Sequence, residues 1–217
     1  MKVIVGLGNP GVQYYATRHN AGFRVLEGLG TKTGAHFSKK RSLFCDLVKV
    51  GVNGAELLLV KPDTYMNASG QAIAAVLNWY KIAASHMLVV HDDVSLPLGK
   101  LRFQRGGGAG GQHGVESIIE CLGGLKDFDR LKIGVGPDPG GERRAEYVLK
   151  PVSESELQLF LRSISTAEEA AIIWLTHGIR EAMNQYNGLD LNPTTVVDEP
   201  PDVDSSSPAV SPKTNST

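Results

Sequence analysis

KVIVGLGNPGVQYYATRHNAG, running from Lys2 to Gly22, is the stretch on which the reading of the chain turns. Val3, Ile4 and Val5 form a short apolar run stopped by Gly6, the pattern of a buried strand entering a loop. The loop carries Gly6, Gly8 and Gly11 as G-x-G-x-x-G, and beside them Asn9, Tyr14, Tyr15 and the triplet Arg18-His19-Asn20. A strand that ends in a glycine loop sets polar groups at the carboxyl edge of a sheet, where open α/β folds hold their ligands. A histidine there exchanges a proton near neutral pH. The reaction centre is expected at this edge.

A dinucleotide site is the first alternative that such a loop raises. Its fingerprint needs a helix opening on the second and third glycines, so that N-terminal N–H groups meet the pyrophosphate. Here Pro10 stands inside the motif, and Val12 to His19 is polar, aromatic and aperiodic. Helical spacing begins only near Asn20, with Phe23, Leu26 and Leu29, and Glu27 falls inside that helix rather than at a strand end. A merely tight turn would account for the glycines but not for the asparagine, tyrosines and histidine beside them.

Outward from this stretch, strands and helices alternate without internal repeat. Leu43–Val50 and Leu57–Val60 read as a strand pair turning at Asn53-Gly54. KPDTYMNASG then supplies Asn67 and Ser69 as N-caps for a helix through Ile73, Val76, Leu77 and Tyr80. Met87–Val90 is a buried strand ending in His91-Asp92-Asp93, and Lys100–Arg105 alternates as a half-exposed one. GGGAGGQHG opens a helix from Val115 to Leu122, and Leu131–Val135 is the last core strand. Ser153 and Glu156 form a capping box for a long final helix, broken or not, reaching Tyr186 before Gly188. The fold class is therefore α/β: a single-domain three-layer sandwich with a mostly parallel, mixed twisted sheet and helices on both faces.

The 217 residues suit one full-sized core, and 41% apolar with 21% charged residues is ordinary for an α/β protein. No apolar run approaches the length of a membrane span, and no signal peptide precedes the first strand. Two cysteines without pairing logic point to a reducing cytoplasm. The net charge of −1 hides an asymmetry. Setting aside the five acids and one base from Asp190 onward leaves 21 bases and 18 acids, so residues 1–189 carry +3. That tail also holds five of the 11 prolines and no aromatic residue. Residues 1–188 are expected to form the domain and 189–217 a disordered Pro/Ser-rich acidic tail.

Four clusters offer chemistry: Asn9 to His19, Tyr65 to Asn67, His91 to Asp93, and Gly106 to Gly114. No G-x-S-x-G elbow is present, and the six histidines form no H-x-x-x-H, so neither a serine nucleophile nor a metal site is indicated. A His–Asp pair activating water is the hydrolytic option that remains. A loop histidine is as often a plain surface residue, and spacing alone leaves both readings standing.

Five separated motifs go further. VGLGNPG, TRHNAGF, P-x-T-Y-M-N-x-S-G, VVHDD and GGG-x-GG-x-x-G before a helix resemble, in order and spacing, bacterial-type peptidyl-tRNA hydrolase over about residues 1–186. The resemblance implies hydrolysis of the ester between a peptide and the 3′-terminal ribose of tRNA, recycling tRNA from prematurely released chains. It implies His19 as the base, Asp92 as the acid that holds it, and Asn9 as the residue that distinguishes N-blocked substrates. It implies Tyr14, Tyr65, Met66 and Asn67 around the tRNA 3′ end, with no metal and no cofactor. Arg102, Arg105 and Lys132 are candidates for holding acceptor-stem phosphates by charge. A cytoplasmic monomer without membrane attachment is expected. The glycine loop departs from the family's usual G-G-H-N-G: this chain has Gln112-His113, so His113 stands where asparagine is usual. An RNA-binding relative without catalysis is the rival reading, and the presence of His19, Asp92, Asn9 and Asn67 argues against it.

Overall fold

Four parallel strands make the centre of a seven-stranded sheet, and antiparallel strands extend it on both sides. The computed structural model describes residues 1–192. In chain order the elements are β1 (Lys2–Gly6), α1 (Ala21–Lys32), β2 (Ser38–Lys40), β3 (Cys45–Val52), β4 (Ala55–Pro62), α2 (Ser69–Tyr80) and β5 (Met87–Pro97). They continue with β6 (Leu101–Arg105), α3 (His113–Cys121), β7 (Asp129–Gly136), α4 (Arg143–Leu149), α5 (Glu154–His177) and α6 (Ile179–Tyr186). The sheet order is β2-β3-β4-β1-β5-β7-β6.

The apolar run of β1 is unbroken because both its faces are covered. Ile4 points into one core with Leu88, Val90, Val25 and Leu26 of α1, and Phe160 and Trp174 of α5. Val3 and Val5 point into the other with Val89, Ile73 and Val76 of α2, and Ile118 of α3. These two cores are the interfaces of the expected three-layer sandwich. The connections leaving β1 and β5 run to opposite sides of that strand pair, so their carboxyl ends open a crevice. Asn53 and Gly54 both take positive φ, as a tight turn of the expected type requires.

Several boundaries differ from the sequence reading. His91, Asp92 and Asp93 are not a strand end, because β5 continues to Pro97. Neither Asn67 nor Ser69 caps α2: the N-cap is Ala68, reached through a single 3-10 turn from Met66. The capping box of α5 is present, and the break in the last helix falls at Gly178, whose φ of 85° no other residue type adopts easily. The short α4 has no counterpart in the sequence reading. The chain also stays docked beyond 188: Asp190 bridges Lys100, and the Leu191 N–H donates to the Gly99 carbonyl. Residues 193–217 of the expected tail lie outside the described residues.

Candidate active site

β5 is last paired with β1 at Val90, opposite Gly6. Asp92 therefore overhangs the end of β1, over the crevice, where the loop from Leu7 to Asn20 returns. That loop does not make the helix a nucleotide motif needs. Its glycines lead into two 3-10 turns, Val12–Tyr14 and Arg18–Asn20, and α1 starts only at Ala21. The second turn sets His19 against β5, with Nδ1 at 2.8 Å from Asp92 Oδ2. The other carboxylate oxygen of Asp92 accepts from Gln112 Nε2 at 3.1 Å, and Gln112 Oε1 accepts the Val115 N–H at 2.9 Å. The start of α3 thus orients the glutamine, the glutamine orients the aspartate, and the aspartate orients the histidine.

The electrostatics fix the tautomer. Asp92 is buried, which opposes ionisation, but the charge and hydrogen bond of His19, with the Gln112 hydrogen bond, hold its carboxyl below the ordinary value. An ionised carboxylate can only accept, so Nδ1 of His19 carries the proton and Nε2 keeps its lone pair. Burial of His19 opposes its protonation, yet the charge and hydrogen bond of Asp92 raise its pKa above 6.5. The neighbouring His91 is a different case. Buried throughout, it is pushed down to about 4 and donates from Nδ1 to the Asp92 carbonyl at 2.7 Å. It stays neutral and is not the titrating group.

Asn9 is held from two directions. Asn20 clamps its backbone, accepting from the Asn9 N–H at 2.8 Å and donating to the Asn9 carbonyl at 3.0 Å. Its side-chain Oδ1 accepts the Met66 N–H at 2.8 Å, which leaves Nδ2 as a donor at the cleft wall. This bond also ties the loop after β1 to the turn after β4. The cleft has a volume of about 600 Å³. His19, Asp92, Asn9, Tyr14, Tyr65, Met66, Asn67 and His113 all border it. Tyr14 and Tyr65 meet edge to face with ring centres 6.4 Å apart, and Tyr65 and Asn67 are exposed at the mouth. Met66 is buried in the floor, its sulfur 3.4 Å from Gln112 Nε2.

The three basic candidates lie outside this lining. Arg102 and Arg105 project from β6, an edge strand, and Arg105 pairs with Asp129 at 3.2 Å. Lys132 stands behind the wall, paired with Asp93 at 3.0 Å. Two contributors were missed in the sequence. Gln112 gave no signal beyond being an amide in a glycine loop. Helix α4 contributes Arg144, Ala145, Val148 and Leu149 to the wall, but seven residues after Gly140-Gly141 are too few to show a period. Among the described residues, no group of three or more His, Cys, Asp or Glu side chains is placed to hold a metal ion, and no helix is long and apolar enough to cross a membrane.

The family model "Peptidyl-tRNA hydrolase" matches residues 3–194. The chain is 45% identical over 188 residues to a peptidyl-tRNA hydrolase of Syntrophomonas wolfei, covering 86% of this chain and all of that one. It is 41% identical over 188 residues to that of Desulforamulus reducens, covering 86% and 89%. Among solved structures, a peptidyl-tRNA hydrolase from Acinetobacter baumannii superposes with a TM-score of 0.83 at 34% identity, over 88% of this chain and 96% of that one.

Proposed function

The chain belongs to the peptidyl-tRNA hydrolase family and hydrolyses peptidyl-tRNA, and we propose that the His19–Asp92 pair activates the water that cleaves its ester. The observation that carries this mechanism is the oriented chain Val115–Gln112–Asp92–His19, which opens on the cleft with a lone pair on Nε2. Nε2 takes a proton from water as its oxygen attacks the ester carbonyl. The tetrahedral intermediate then collapses, and the imidazolium returns the proton to the departing ribose oxygen. The products are a peptide acid and tRNA with a free 3′ end. Asp92 stays ionised throughout and stabilises the imidazolium between the two steps, as the acid of a catalytic triad does.

Neutral amides suit the rest of the site. Asn67, exposed in the cleft, can donate to the developing oxyanion without trapping it as a salt. Asn9 Nδ2, fixed by the Met66 contact, suits a carbonyl acceptor such as that of an N-blocked residue, which gives a basis for preferring peptidyl- over aminoacyl-tRNA. The rings of Tyr14 and Tyr65 offer faces for unpaired bases of the tRNA end. Arg102 and Arg105 would meet acceptor-stem phosphates from the β6 side, whereas Lys132, mostly buried against Asp93, would act only through its neighbouring charge. Incubation with N-acetylaminoacyl-tRNA, beside free aminoacyl-tRNA, tests the reading. Release of the N-acetylated amino acid, with the free aminoacyl ester left intact, is expected. Equal release from both, or none, contradicts it.

A further inference from the structure

Arg18, the residue before the proposed base, is 6% exposed, and its side chain reaches the segment that leaves α4. Nη1 donates to the Pro151 carbonyl at 2.9 Å and the Lys150 carbonyl at 3.5 Å, and Nη2 meets Glu156 Oε2 at 2.6 Å. The guanidinium also lies 4.5 Å from the ring centre of Tyr147, within α4. Two backbone bonds reinforce the junction: Arg18 N–H to the Lys150 carbonyl, and Val152 N–H to the Ala16 carbonyl.

Helix α4 has little else to hold it. Val148 is its one buried residue, and it follows Gly140 and Gly141, both at positive φ, where the backbone bends readily. Its other polar fixings are the Tyr147 hydroxyl on the Val135 carbonyl at 2.7 Å and the exposed Arg144–Asp138 pair. Yet α4 supplies one wall of the cleft. A short helix with so little buried apolar surface keeps its place through polar contacts, and Arg18 makes most of them at its carboxyl end.

We infer that Arg18 is a positioning residue for the reaction: it fixes the α4 wall in register with the turn that carries His19. The inference rests on the reading of His19 as the base. A lysine would keep the charge, but as a single point it cannot reach two carbonyls, a carboxylate and a ring face together. The test measures kcat, KM and thermal midpoint for Arg18→Lys and Glu156→Gln on N-acetylaminoacyl-tRNA, well below the midpoints. Glutamine keeps the capping box of α5, so Glu156→Gln perturbs mainly the ion pair.

Arg18→Lys is expected to lose about tenfold or more in kcat with a raised KM, because small misplacements at a reacting centre are costly. Glu156→Gln should act in the same direction and less strongly, and the double variant should lose less than the product of the two. Kinetic constants of both variants within about twofold of wild type overturn the inference. So does a lowered midpoint accompanied by unchanged kcat in the folded enzyme, which would mark a purely structural role. A wild-type enzyme unable to cleave the substrate would instead refute the functional reading itself.

Discussion

A buried imidazole ordinarily gives up its proton more readily than one in water, because the charged form loses solvation. At His19 the adjacent Asp92 reverses this, so the imidazolium persists above pH 6.5. A general base must be neutral, so kcat/KM should fall as pH drops through that raised value, placing the acid limb above 6.5. Asp92→Asn removes the opposing charge and leaves burial in force. The limb should then move to the acid side of 6.5 while the plateau rate falls by about ten- to a hundredfold. A pH–rate profile between about pH 5 and 9 reads both effects, and an unmoved limb would assign the titration to another group. His91, at about 4, stays neutral through that window. His19 and Asp92 were legible as a candidate pair, but spacing did not separate a base from a surface histidine. What separates them is the overhang of β5 past β1, a tertiary fact. For the same reason Gln112 was unreadable, since its importance lies in the oxygen of Asp92 that it meets.

At the scale of elements, the carboxyl ends of β1 and β5 and the first turn of α1 are crowded onto one another. A Cβ on Gly22 would lie 2.3 Å from the Val90 carbonyl oxygen and 2.4 Å from the Leu7 nitrogen, both backbone atoms that cannot step aside. The glycine of the TRHNAG motif is thus required by close packing rather than by a turn, since its φ is not positive. Gly22→Ala should destabilise the protein by about 1–3 kcal/mol or more through overpacking, and should slow turnover because His19 stands three residues upstream. Calorimetry with kinetics checks this; an unchanged midpoint would mean that the helix start has slack. Periodic elements such as α1, the β3–β4 hairpin and α5 were legible because their apolar spacing matches their burial. Helix α4 was not, because polar contacts from Arg18 and Tyr147 place it.

Over the whole molecule, two apolar cores fix the sandwich, and polar contacts adjust its margins. The three-layer class followed from alternating strands and helices. The docking of residues 189–192 did not: Leu189 and Leu191 are the last leucines of the chain, but four residues are too few to show a period. Truncation after Gly188 removes the Leu191–Gly99 hydrogen bond and the Lys100–Asp190 pair. The pair is exposed to solvent and contributes little, so a midpoint lower by no more than about a few degrees is expected. Truncation after Asn192 keeps those contacts and is the matched control; equal midpoints would show that the docked segment contributes nothing. The central claim, that His19 activates the water that cleaves peptidyl-tRNA, is tested most directly by single-turnover hydrolysis of N-acetylaminoacyl-tRNA by wild type and His19→Ala. The variant should bind the substrate with comparable affinity and cleave it about a hundredfold or more slowly. Cleavage within a few-fold of wild type would contradict the account.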